Sequence, residues 1–313
     1  MGASAIDEQL VEALAAIYGR HAGHRAVHAK GTWARGSFSA SDEAAALCRA
    51  EHFQGTEVEA LVRFSNASGD PESHDADRDN RGIGVKLRVR EGVETDILGT
   101  TSPAFVARTP EDFLEVLRLR RADPATGQPD MEKLGAYLTA HPEAQTAVLA
   151  TISSQPPESF TTLTYFSPHA FRLLAADATG TWVRWRWLSP GGEQRIADDE
   201  ARERGRDYLR EELAKRLAAG PAELDLVFQL AAEGDPLEDP TAVWPDEREI
   251  IVAGWLQLSE LIESPERDGH IDVFDPLRLI DGVEPSADPV LHARPRAYSV
   301  SAHRRWDRPQ PPA

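Results

Sequence analysis

Near its C-terminal end the chain reads RPRAYSVSAHRR, residues 294–305, and crowds four arginines and a histidine around Tyr298. The chain as a whole carries a formal net charge of −18, so this concentration of positive charge stands out. A solvated basic tail is the simplest reading. The alternative is that Tyr298 works as an anion. A tyrosine hydroxyl ordinarily ionises at about pH 10 and stays protonated at neutral pH unless positive charge lies close to its oxygen. If a short helix begins near Pro295, a residue tolerated in the first helical turn, then Arg294 and Tyr298, four apart, are neighbours in space. A metal ion at the oxygen favours the deprotonated form further. A phenolate with a permanent cationic partner suits ferric iron, and tyrosine is one of the side chains that hold haem iron.

Three upstream stretches also carry chemistry. In RAVHAKG, residues 25–31, His28 sits among small and apolar neighbours beside a turn at Gly31. Burial keeps such an imidazole neutral at pH 7, and a neutral imidazole is a usable general base. Taken alone, a core histidine with its hydrogen bonds satisfied is the stronger reading. In LVRFSNASGD, residues 61–70, Arg63 and Ser65 share one face of a strand, because alternate residues do. A hydroxyl and a guanidinium on one buried face suit an anionic ligand; an ordinary polar outer face is the competing reading. In SHDADRDNRGIGVKLRV, residues 73–89, an acidic loop runs into a strand holding Gly82 and Gly84. Glycine inside a strand marks either close approach of another group or a bulge.

These residues need a scaffold. At 313 residues, one large unit or two unequal lobes are expected, and 41% hydrophobic with 27% charged residues fits a globular chain. The acidic balance argues against nucleic acid and anionic membrane as partners, since both require a basic face. The single cysteine, Cys48, excludes an internal disulfide and a cysteine-based zinc site. No run of about 18 apolar residues exists, and the first residues lack a secretory pattern, so a cytoplasmic protein is expected.

Residues 7–19 have helical spacing, as do 110–122 and 141–151. DDEARERGRDYLREELAKRLAAG, residues 198–220, reads as one helix closed by Gly220. ALVRFSNAS, RGIGVKLRVR, PAFVARTP, SFTTLTYFSPHAFRLL, TWVRWRWLSP, AELDLVFQLA and REIIVAGWLQLSE read as strands, and a short helix follows the proline-punctuated stretch after residue 273. The strands of both halves predict one barrel with helices to one side.

Taken in order, the four stretches resemble the haem catalase superfamily. RAVHAKG is similar to its distal-histidine motif, VRFSNASGD to its V-R-F-S-T-V-x-G-E, DADRDNRGIGVKL to its D-T-x-R-D-x-R-G-F-A-V-K-F, and RPRAYSVSAHRR to its proximal R-x-x-x-Y-x-D-T-x-R-x-R. The resemblance implies an α+β fold, an antiparallel eight-stranded β-barrel with flanking α-helices, lacking the C-terminal domain of full-length catalases. Residues 1–24 would form a short helix or arm and 25–313 a single haem-binding domain.

Carried over residue by residue, His28 would be the distal acid–base, with Ser65 on its far ring nitrogen. Tyr298 would be the axial ligand to iron, held ionised by Arg294. Arg25, Arg63 and Arg305 would pair with the propionates of haem b. Val27 would narrow the approach to the iron, Phe105 and Phe113 would pack near the haem, and His169 would lie on the proximal side. Full-length catalases read D-L-V-G-N-N-T-P where this chain reads DILGTTSP, residues 96–103, so Thr100 or Thr101 stands in place of the distal asparagine.

The departure and the length point to the minimal catalase-related peroxidase subgroup, as a monomer or homodimer. Such an enzyme uses hydrogen peroxide or organic hydroperoxides to oxidise a small organic electron donor. Weak true catalase activity, fatty-acid hydroperoxide rearrangement and non-catalytic haem carriage are the alternatives.

Overall fold

The computed structural model describes residues 5–266 and 270–306. Helix α1 (Ile6–Tyr18) buries Leu10, Val11 and Leu14 along one stripe and stops at Gly19, whose φ of 84° ends the helical path. Four strands surround the next short helix: β1 (Gly31–Ala40), α2 (Asp42–Leu47), β2 (Val58–Asn66), β3 (Arg81–Arg90) and β4 (Val93–Thr100). A helical layer follows, with α3 (Pro110–Arg120), α4 (Met131–Ala140) and α5 (Gln145–Ile152). Thr109 and Asp130 cap α3 and α4 by accepting from backbone N–H groups. The chain then forms β5 (Tyr165–Phe166), β6 (Phe171–Leu174), β7 (Gly180–Leu188), α6 (Asp198–Glu203), α7 (Tyr208–Ala219), β8 (Ala222–Leu230), β9 (Ile250–Ile262), β10 (Val283–Pro285) and α8 (Pro289–Trp306).

Eight strands close into a barrel in the order β1-β2-β3-β4-β5-β7-β8-β9, with β9 pairing back onto β1; every pairing is antiparallel. β6 and β10 extend from the side of β7. The interior takes alternate residues of each strand, among them Phe38, Val62, Phe64, Val85, Ile97, Trp185, Trp187 and Phe228. Each such side chain contributes about 1.5–3 kcal/mol by leaving water. The intervening residues of β1–β4 point outward, yet many are buried as well: Trp33, Arg63, Ser65, Lys86 and Asp96. The polypeptide itself covers that outer wall. Val273 accepts a hydrogen bond from Lys86, the Phe274 ring lies over Gly84, and the backbone N–H of Ala26 reaches Ser301 on α8. Among the described residues no helix is long and apolar enough to cross a membrane.

Four local expectations need correction. PAFVARTP forms no strand; the strand is residues 93–100, and the following segment turns, with Phe105 bonding its N–H to Pro240 instead of a neighbouring strand. The 198–220 helix is two helices, because Gly205 takes a φ of 96° between them. The helix expected over 141–151 starts at Gln145 after a single tighter turn, and α4 precedes it where no helix is expected. The last helix is 18 residues long and starts at Pro289, not near Pro295. Asp288 accepts from the N–H groups of Val290 and Leu291 and so fixes the earlier start. Pro295 lies inside α8 and leaves the Leu291 carbonyl without its helical donor.

Candidate active site

His28 lies in the turn just before β1 with a φ of 55°. A non-glycine residue in this left-handed region is uncommon, and it persists only where its surroundings over-determine it. Here they do. The His28 N–H donates to Ala67 at 3.2 Å, its carbonyl accepts from Arg63 at 2.8 Å, and its Nδ1 meets Ser65 Oγ at 3.0 Å. Below the ring is Gly82, where a Cβ would come within 2.9 Å of His28 Cε1 and 3.1 Å of Ser65 Oγ. The strand glycine is therefore a close approach, and the β2–β3 register runs through it without a bulge. Burial, then the charges of Arg63, Arg294 and Arg25, pull the imidazole down to about 3, so the ring is neutral at pH 7.

Strand register extends the site. Ser65 pairs with Gly82, and Gly82 with Thr100, so these three form a row on one face of the sheet. Thr101 belongs to the opposite face, where its Oγ1 accepts from the Arg81 N–H at 2.9 Å. Thr100, not Thr101, shares the His28 side.

Beside His28 lies a buried cluster of arginines. Arg25 and Arg63 both lie over the Trp33 ring, at 5.7 and 5.6 Å from its centre. Gly31 makes room for the Arg63 guanidinium, which a side chain there would overlap. Glu266 bridges Arg25, at 3.0 and 2.8 Å, and Arg305, at 2.9 Å. Burial pushes the Glu266 carboxyl up, but Arg25 and Arg305 outweigh it and hold it below the ordinary carboxylate range. Arg63 donates only to the carbonyls of His28 and Ala29, and among the described residues no carboxylate pairs with it.

The Nε groups of Arg63 and Arg305 are buried without a hydrogen-bond partner. Unmet buried donors cost about 1–3 kcal/mol each, so they point to an acceptor. Three guanidiniums against one bonded carboxylate suit a ligand with two carboxylates, which is what haem carries. The donor set fits that group.

On the other flank, Arg294 Nε donates to Tyr298 Oη at 2.8 Å across one turn of α8. The same guanidinium donates through NH1 to His169 Nε2 at 2.9 Å. Arginine has no acceptor, so this contact assigns the tautomer: His169 Nε2 accepts, and Nδ1–H donates to Asp288 Oδ2 at 2.6 Å. Burial, partly offset by the Asp288 hydrogen bond, lowers His169 to about 4 and keeps it neutral. The other oxygen of Asp288 caps α8. One side chain thus anchors both the helix that carries Tyr298 and the histidine that orients Arg294.

The fold brings together His28, Ser65 and Thr100 on one side, Arg25, Arg63 and Arg305 in the arginine cluster, and His169, Arg294 and Tyr298 on the other side. Phe105 and Phe113 face each other at 4.9 Å. Phe113 and Val27 pack into the small apolar cluster between α1 and α3. Three contributors were missed by sequence reasoning: Asp288, Trp33 and Glu266. Asp288 had a readable signal, since an aspartate directly before a proline is a helix-start pattern. Glu266 had none, because its partners are distant in sequence.

Comparison with known proteins identifies the family. The catalase family model matches residues 3–308. A catalase-related peroxidase of Mycolicibacterium paratuberculosis is 37% identical over 295 residues, 94% of this chain and 93% of that protein. A catalase-related peroxidase of Synechococcus elongatus is 34% identical over 300 residues, 95% of this chain and 88% of its own. The crystal structure of a fungal catalase superposes with a TM-score of 0.78 at 25% identity, covering 95% of this chain and 62% of that one. The chain therefore spans less than two thirds of that catalase. On the matched length, the barrel and the two relatives, the chain belongs to the catalase family.

Proposed function

We propose that the protein is a haem-dependent peroxidase that uses hydrogen peroxide or an organic hydroperoxide to oxidise a small organic donor. The observation that carries this reading is the convergence of a neutral, half-buried His28 and an Arg294–Tyr298 pair on one covered face of the barrel. Tyr298 Oη would hold the iron of haem b, and Arg25, Arg63 and Arg305 would hold its carboxylates. Haem bound there supplies the iron redox change and, through a tyrosine ligand, the electron donation that favours O–O cleavage.

The chain's own residues do the rest. With Nδ1 tied to Ser65, His28 Nε2 is the nitrogen that takes a proton from the entering peroxide oxygen and returns it to the leaving oxygen. Its depressed basicity keeps it ready to accept across the neutral range. Arg294 fixes the position of Tyr298 Oη and places a permanent positive charge on it. Val27 narrows the approach to the iron, and Phe105 and Phe113 pack near the haem. We assign residues 1–24 to a short N-terminal helix or arm and 25–313 to a single haem-binding domain, in a cytoplasmic protein whose one cysteine, Cys48, is buried and unpaired.

Thr100 supports peroxidase over rapid catalase turnover, because its short hydroxyl replaces an amide donor that would orient a second peroxide. The test is the visible spectrum of the haem-loaded protein, then oxygen release and donor oxidation measured side by side with hydrogen peroxide. Donor oxidation with slow oxygen release is expected. The lack of a Soret band after reconstitution would overturn the reading. Fast oxygen release without donor turnover would make the protein a true catalase.

A further inference from the structure

Glu266 occupies the arginine cluster in a way that the function proposed above does not use. Both terminal nitrogens of Arg25 bond to its two carboxylate oxygens, and Arg305 adds a third contact. This two-pronged pairing is what a guanidinium makes with any carboxylate. Glu266 comes from the segment that follows β9, and Asp272, beyond it, reaches the same cluster. The Glu266 N–H donates to Ser264 Oγ, the Asp272 N–H donates to Glu266 Oε1 at 3.1 Å, and Arg25 also donates to the Asp272 carbonyl at 2.8 Å.

Asp272 is the next nearest acid, but its own carboxylate turns to His270 at 3.2 Å. The glutamate is only partly exposed, and Arg25 and Arg305 are buried or nearly so. Two carboxylates brought to the same guanidiniums in such a setting repel strongly, because little water screens them. A cofactor carboxylate and Glu266 cannot both keep these hydrogen bonds.

We infer that Glu266 is a built-in competitor for the cofactor's carboxylates: it satisfies Arg25 and Arg305 until a porphyrin carboxylate takes its place. Haem affinity is then set partly by an acid that lies outside the catalytic and ligand groups. This rests on the haem reading, and the experiment separates the two.

The cofactor-free protein is titrated with haem and followed at the Soret band, for wild type, Glu266→Gln and Glu266→Asp. The Gln variant keeps the shape and loses the charge, so its Kd falls at least tenfold, whereas the Asp variant stays near wild type. Haem dimethyl ester, which has no free carboxylate, binds wild type and Glu266→Gln alike. Thermal melting of the unloaded Gln variant checks its folding and shows a lower Tm, because two arginines have lost their counter-ion. Equal or weaker haem binding by the folded Gln variant overturns the competition and makes Glu266 a fixed support of the arginines. No Soret band with any of the three proteins overturns the haem reading itself, and the competition with it.

Discussion

The two flanks of the site are built by different means. On the His28 side, three neighbouring strands each contribute one residue, and Ser65, Gly82 and Thr100 meet only because β2, β3 and β4 pair in one register. On the Tyr298 side, a single helix supplies Asp288 as its cap and Arg294 and Tyr298 one turn apart, with His169 the only distant member. Their electrostatics differ as well. The first flank is a neutral ring among hydroxyls, held neutral chiefly by burial, with the surrounding positive charge adding to it. The second is a line of alternating character, from carboxylate through neutral imidazole to guanidinium and phenol. Proton exchange needs a group free to change charge, and a ligand site needs charges that stay fixed; the two architectures suit the two roles proposed above.

The contrast can be broken most sharply by exchanging the two losses. His28→Ala should slow the reaction with peroxide by about 10²–10⁴-fold, the usual worth of a general acid–base, with haem content unchanged. Tyr298→Phe should instead strip haem from a folded protein. Stopped-flow kinetics and haem-to-protein ratios read both, and haem loss in the histidine variant with full retention in the tyrosine variant would reverse the assignment.

Gly82→Ala tests the register-built flank alone. The new methyl group collides with the His28 ring, and a displaced base should cost on the order of 10- to 100-fold in rate with haem kept. An unaffected rate would show that His28 has slack.

Asp288→Ala tests the helix-built flank. It removes a cap worth about 1 kcal/mol and a charged hydrogen bond worth about 1.5–3 kcal/mol. Chemical denaturation should show a loss of that order, together with altered ligand bands in the visible spectrum; an unchanged spectrum would mean that Arg294 is positioned without His169.

The smallest effect concerns acid. His28 and His52 sit at about 3 and His169 at about 4, each lowered chiefly by burial. Unfolded histidines take up protons below about pH 6.5 while these stay bare, so stability falls as pH drops from 6.5 towards 3–4. His52 lies away from both flanks, its ring 3.9 Å from that of Phe53. Replacing it by Phe should flatten the slope by less than about 1 kcal/mol between pH 7 and 6, leaving the share that belongs to the two flanks. An unaltered slope would place the acid sensitivity elsewhere.

How legible each flank was follows from its construction. The Arg294–Tyr298 contact could be read from a spacing of four, although the helix carrying it starts earlier than expected, because a side-chain cap outweighed the proline inside it. Strand alternation put Arg63 and Ser65 on one face, but could not choose between Thr100 and Thr101. That choice depends on which residue pairs with Gly82, and register is a property of two strands together. The barrel's order of closure was equally out of reach, since β9 returns to β1 across more than 200 residues. Glu266 illustrates the limit most plainly: an isolated glutamate in a loop acquires meaning only when Arg25 and Arg305 arrive from opposite ends of the chain.

That last arrangement also sets a clock. The eight barrel strands are complete once Ile262 has been made, but Tyr298 comes 36 residues later and Arg305 later still. At about 5–20 residues per second of synthesis, Tyr298 is added some 2–7 s after Ile262. During translation every barrel strand is therefore made before the residue proposed above to hold iron. If Tyr298 and Arg305 hold haem as proposed, loading waits for the final helix, whose Ser301 meets the Ala26 N–H.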